Sequence, residues 1–172
     1  MSECEPGFWS FSLEVYDHAA VRVECLDLQN RFGIDINLLL FCTYVGAVHG
    51  AVLSDSEMGL AVSIVGEWHK KIVNKLREAR RALKPFATGP SPIISSAEKL
   101  RTSGKAMELE AERIEQVMLE EWSALRLDSW PRAQPTQAVA ANIRALFAIC
   151  DGSAQRADLP NHLVAAALVA GC

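Results

Sequence analysis

Nineteen consecutive residues, Ile36 to Ser54, carry no Asp, Glu, Lys or Arg. A helix without a charged face has to be enclosed, either by lipid or by the rest of its own chain. The stretch approaches membrane-span length, but it holds Asn37, Thr43, Tyr44, Gly46, His49 and Gly50, and polar groups inside lipid are costly. The expectation is therefore a helix over 36–52 at the centre of a fold in water, with a membrane location disfavoured. Gly46 and Gly50 form a G-x-x-x-G pair, which in that setting serves close helix packing.

Around this stretch the sequence is rich in helix formers. Its 172 residues include 24 Ala and 19 Leu against 17 Gly and Pro together, a balance that argues against a many-turned β protein. The length is that of one domain with a sizeable core. Val21, Cys25, Leu28 and Phe32 share one helical face and predict a helix over 18–32, with Asp17 able to cap its start and Gly33 at the left-handed position after its end. Asp35 is placed to cap the central helix, with Ile34 and Leu39 as a hydrophobic staple. The capping box of Ser54 and Glu57 opens a helix over 55–84, stopped by Pro85. Residues 85–95 hold three prolines and read as a loop.

A second box, Ser95 and Glu98, opens a helix over 96–127 with a stripe through Leu100, Ser103, Met107, Ala111, Ile114, Met118 and Leu125. Helices over 136–151 and 159–170 follow. Residues 9–16 are either one or two helical turns or an extended lead-in. The class is all-α: a single-domain helical bundle with a central apolar helix and a long antiparallel helical hairpin.

Charge is segregated along this hairpin. The formal net charge is −4, yet Arg77 to Lys105 is basic and Met107 to Glu121 is acidic. Folding the hairpin about residue 90 sets Glu108 opposite residue 72, so Glu108, Glu110, Glu112 and Glu115 reach only Lys70, Lys71 and Lys75. The tip, with Arg77, Arg80, Arg81, Lys84 and Arg101, stays positive. It is either solvated, neutralised by the acidic N-terminal segment, or a dock for an anionic partner. Nucleic acid is the weakest such partner, because the pI near 5.6 is wrong for a dedicated binder and no nucleic-acid motif is present.

No catalytic constellation is visible: there is no H-E-x-x-H, no G-x-S-x-G and no glycine-rich phosphate loop. Glu67 and His69 bracket Trp68 and point about 160° apart on a helix, so they cannot share a ligand. The sequence thus nominates no catalytic residue, no metal site and no cofactor. Five cysteines, an odd number without a C-x-x-C, indicate a reducing compartment. Glu3 and Glu5 precede any basic residue, unlike a signal peptide, which points to the cytoplasm. His49 reads as a hydrogen-bonded core residue, and Cys25 and Cys42 as small hydrophobes. Asn37 shares a face with Phe41, Tyr44 and Val48, where its amide either meets a neighbouring backbone group or holds the polar group of a ligand.

Three segments, F-W-S-F-S-L-E-V-Y at Phe8 to Tyr16, C-L-D-L-Q at Cys25 to Gln29 and G-I-D-I-N-L-L-L-F-C at Gly33 to Cys42, resemble a small proteobacterial family of conserved hypothetical proteins, the domain of unknown function 2390. The resemblance covers about residues 8–50. The family would carry a proline-glycine pair near His18-Ala19, where this chain departs. Membership implies a bacterial, cytoplasmic protein of this size and assigns no activity and no catalytic residues.

Two functional readings follow. In one, a non-enzymatic helical protein binds another protein, as an adaptor or in assembly, through the basic tip (Arg77, Arg80, Arg81, Lys84, Arg101) or the acidic face of 108–121. In the other, a helical pocket for an apolar small molecule or acyl chain, with room for an enzymatic role, is built from Trp9, Tyr16, Asn37, Tyr44 and His49. The oligomeric state is not fixed by the sequence.

Overall fold

The structure, a computed structural model, describes residues 7–88, 93–150 and 158–171. Glu3, Glu5, the middle of the proline-rich loop and residue 151 lie outside them. Among the described residues the α-helices are α1 Phe8–Asp17, α2 Ala19–Phe32, α3 Ile36–His49, α4 Asp55–Trp68, α5 Asn74–Ala82, α6 Ile94–Ala124, α7 Pro135–Ile149 and α8 Asn161–Ala170. No strand occurs among the described residues, only an isolated antiparallel bridge between Ala51 and Arg132.

The uncharged stretch is the central helix. Every residue of α3 from Asn37 to Ala47 is buried, and no described helix is long and apolar enough to cross a membrane. α7 packs along α3 so closely that a Cβ on Gly46 would lie 2.5 Å from the Val139 backbone nitrogen. Asn142 of α7 ties the end of α3 down, accepting from the Leu53 amide at 2.9 Å and donating to the carbonyls of Ala51 and Cys42. α3 stops at His49 rather than at 52, because Gly50 turns left-handed (φ 59°) and its N–H closes onto the Gly46 carbonyl.

The capping signals act where the sequence placed them for α3 and α4. The Asp35 carboxylate accepts from the Asn37 amide at 2.9 Å, Ser54 Oγ accepts from the Glu57 amide, and Gly33 turns left-handed after α2. Three starts differ. Residues 8–17 form a helix whose first amide, Phe8 N–H, is received by Glu120 of α6 at 2.8 Å. Asp17 ends α1 instead of capping α2, and its backbone carbonyl accepts from Arg22. Ser95 lies inside α6, which begins at Ile94, two residues before the expected start at 96, and no side chain caps it.

The long helix over 55–84 is interrupted. Residues His69–Val73 form a π-helical turn between α4 and α5, and Lys84–Phe86 a 3-10 turn after α5. In unbroken α geometry Val73 would stand about 80° round from Val65. The wider turn unwinds that rotation and keeps Val73 fully buried like Val65.

α6 runs unbroken past Gly104, but its buried face is not the expected stripe. Leu100, Met107 and Leu125 are exposed, whereas Glu108, Ala111, Glu115, Gln116 and Leu119 are buried. The helix turns polar side chains toward α3 and leaves apolar ones in solvent. α8 is held through Glu24 of α2, whose carboxylate receives the His162 and Leu163 amides.

Candidate functional site

The polar face of α6 meets three other elements in three linked groups. Nearest the hairpin tip, Arg77 of α5 donates to Glu108 at 2.9 Å and to Glu112 at 2.6 Å, and Arg80 pairs with Glu108 as well. The hairpin therefore folds about residue 93, not 90. The asymmetric turn, with its 3-10 segment on one side and an early start of α6 on the other, goes with a register shift of more than one helical turn. Glu108 and Glu112 meet arginines of the tip instead of Lys71 and Lys75, which pair with Glu67 and Glu78. Burial alone would raise Glu108, but the Arg80 and Arg77 guanidinium groups outweigh it and hold the carboxyl below its usual range.

The second group is buried. His69 Nδ1, at the start of the π-helical turn, lies 2.9 Å from Asp35 Oδ2 and 3.2 Å from both oxygens of Glu115. Asp35 thus uses one oxygen to cap α3 and the other to face His69. Glu115 has no exposed side-chain surface. Burial disfavours the His69 imidazolium, yet hydrogen bonds to Asp35 and Glu115 and their charges raise its pKa well above the usual histidine value. Burial also raises Glu115, only partly offset by His69, while for Asp35 the same penalty loses to the hydrogen bonds it receives.

The third group lines a half-open cleft of about 130 Å³ between α1, α3 and α6, with Trp9, Ser12, Tyr16, Asn37, Leu109 and Gln116 in its wall and Asp35, Arg77 and Glu112 at one end. Gln116 Nε2 donates to Asn37 Oδ1 at 2.9 Å, so the asparagine amide is partnered by a side chain of α6 rather than by a backbone group. Two residues of the wall, each only 3% exposed, carry a buried polar atom with no hydrogen-bond partner, Ser12 Oγ and Gln116 Oε1; among the described residues Glu57, Arg101 and Trp130 each carry one elsewhere. Such atoms are rare in folded proteins because each costs about 1–3 kcal/mol.

Trp9, Tyr16 and Asn37 are brought together at this cleft. Tyr44 and His49 are not. Tyr44 stacks on Phe8 at 5.1 Å and meets His49 edge-on at 5.0 Å, an aromatic cluster toward the other end of α3. Of the basic residues named at the tip, Arg77 and Arg80 are bound internally, and Arg101 lies 3.6 Å from Glu98. The tip also carries an apolar groove of about 430 Å³ between α5 and α6, with Leu83, Phe86, Leu100 and Met107 in its walls. Cys25, Cys42 and Cys150 are free thiols, and burial pushes Cys25 up to about 12, outside the reactive range.

Ser12, His69, Glu115 and Gln116 were not singled out by sequence. His69 was weighed only against its neighbour Glu67, whereas its partners come from 34 residues before and 46 residues after it. One signal was present: Glu108, Ala111, Glu115 and Leu119 recur at three- and four-residue spacing, so the glutamates share a face with apolar positions.

The model of a family described as a protein of unknown function (DUF2390) matches residues 7–119, about two thirds of the chain and all three polar groups. The chain belongs to this family. No curated protein and no solved structure matches it. The DUF2390 span runs from α1 into α6 and leaves α7 and α8, which pack against α3 from behind the cleft, outside it.

Proposed function

We propose that the protein binds a small molecule in the cleft between α1, α3 and α6. The observation that carries this reading is the pair of buried, unpartnered atoms, Ser12 Oγ and Gln116 Oε1, in its wall. A ligand that reaches these buried atoms on a side-chain rotation and supplies their hydrogen bonds removes a penalty that the chain alone leaves standing. Gln116 Oε1 can only accept, Asp35 and Glu112 line the same cleft, and its Arg77 is already paired with Glu108 and Glu112, so the favoured polar end is one that donates, such as a hydroxyl, an amide or an amine. The apolar walls from Trp9, Ile36, Leu40 and Leu109 take the rest. A volume of about 130 Å³ is close to that of cavities that admit one benzene ring, so the ligand body is a single ring or a short acyl group, not a long chain.

Ligand-observed NMR with a library of ring-sized alcohols, amides and amines tests this on the wild-type chain and on Leu109→Trp. Leu109 is half exposed at the cleft wall, so the larger side chain closes the mouth without overpacking the core. Binding by donor-bearing compounds that is lost in Leu109→Trp supports the reading. No binding, or equal binding to both proteins, contradicts it.

A second reading, docking of another protein at the hairpin tip, draws support from exposed Phe86, Leu100 and Met107, which line one groove, and from exposed Arg81 and Lys84 on the same arm as Phe86. The internal pairing of Arg77 and Arg80 weakens its electrostatic basis. For setting, we propose the bacterial cytoplasm, supported by the free thiols of Cys25, Cys42 and Cys150.

A further inference from the structure

Asp35, His69 and Glu115 come from the start of α3, the π-helical turn and the middle of α6, yet each places a donor atom within 4.8 Å of the other two. An imidazole nitrogen carries one hydrogen at most. Here three carboxylate oxygens face it, at 2.9, 3.2 and 3.2 Å, so acceptors outnumber the hydrogen they surround. Among the described residues, His69 is the ionic partner of both acids. A histidine that needed only an ion pair would be served by Asp35 alone, and a second, fully buried carboxyl adds desolvation cost, offset here only by the hydrogen bonds Glu115 shares with His69 and Asp35.

The same geometry suits a cation. Donor atoms 2.0–2.2 Å from one metal ion lie roughly 3.0–3.4 Å from each other; His69 Nδ1 lies 2.9 Å from Asp35 and 3.2 Å from Glu115, and all three donors lie within 4.8 Å of one another. Two carboxylates and one neutral imidazole balance a charge of +2. The donors are also held in advance: Asp35 by the Asn37 amide, His69 by the π-helical turn, a feature that recurs at functional sites, and Glu115 by a helix locked to α4 where Trp68 Nε1 donates to the Ala111 carbonyl at 2.9 Å. Asp35 borders the cleft described above, and Asp35 and His69 together border a second one of about 200 Å³ with Leu38, Val62 and Cys150. Three protein ligands with access on either side leave coordination positions for water or a ligand group.

We infer that Asp35, His69 and Glu115 bind one divalent first-row transition ion. One nitrogen and two carboxylates suit Zn²⁺, Mn²⁺ or Fe²⁺ better than Ca²⁺, whose sites are built of oxygen alone. The inference stands on the three donors and does not need a molecule in the cleft.

Calorimetric titration of chelator-treated full-length protein with Zn²⁺ and with Mn²⁺ tests it. One ion bound per chain, with a raised melting temperature, is expected for the wild type. Binding should be lost in Glu115→Gln and in His69→Gln and kept in Leu109→Trp, which separates this site from the cleft. Because a buried substitution can unfold the chain, the wild type supplies its own readout: substoichiometric Mn²⁺ should broaden the imidazole NMR resonances of His69 before those of His18, His49 and His162. No ion bound, undiminished binding in both folded variants, or broadening centred on another histidine overturns the inference.

Discussion

At the scale of single residues, a carboxylate in this protein is defined by what α6 turns it toward. Glu108 receives two arginines and is held below its usual range, whereas Glu115, two turns further on, is pushed up by burial and by the charge of Asp35. The Glu108 contact has a pH signature. A carboxyl whose folded pKa is depressed adds stability that is complete above its unfolded value and is lost as pH falls through the folded one. Urea unfolding should therefore show stability declining as pH drops below 4.5, the group's ordinary value. Glu108→Gln should cost about 2 kcal/mol at neutral pH, as expected for lost charged hydrogen bonds, and flatten that decline. A variant as stable as the wild type at neutral pH would show the pair to be solvent-screened and of no structural weight.

At the scale of elements, glycines separate two demands that look alike in the sequence. Gly46 is helical and needed for the close approach of α7, while Gly33 is left-handed (φ 67°) with open space around it. Gly46→Ala should cost about 3 kcal/mol or more through overpacking. Gly33→Ala should cost only the left-handed strain of about 1 kcal/mol. Thermal unfolding of the two variants checks the order, and equal losses would contradict the tight α3–α7 contact. Elements whose ends carry their own chemistry were legible in the sequence: Asp35, Ser54 and Gly33 act within a few residues, and the uncharged run of α3 could only be enclosed. What was not legible depends on distant partners. The start of α1 is capped by Glu120 from α6, the π-helical turn answers to packing on both sides of it, and the buried face of α6 follows ion pairs rather than hydrophobicity. Leu100, Met107 and Leu125 marked the wrong face for that reason.

At the scale of the whole molecule, an apolar pillar is packed by α7 and α8 on one side and meets a polar helix on the other. The sequence indicated the pillar and placed Trp9, Tyr16 and Asn37 among the candidates, because aromatics and an amide in an apolar setting are conspicuous. It assigned Tyr44 and His49 to the same group, but they lie two and more than three helical turns along α3 from Asn37, in the aromatic cluster around Phe8. The polar side was hidden because its charges read as a solvated hairpin surface. The central claim is that the cleft part of this side, where Ser12 and Gln116 lie, is kept for a ligand and not for the fold, and Ser12→Ala tests it without knowledge of the ligand. Equilibrium unfolding of the ligand-free variant should give a stability within about 0.5 kcal/mol of the wild type, or above it, since removing an unpartnered hydroxyl forfeits no hydrogen bond. A loss of more than about 1 kcal/mol, the ordinary cost of a bonded hydroxyl, would mean that Ser12 serves the fold and would contradict the account.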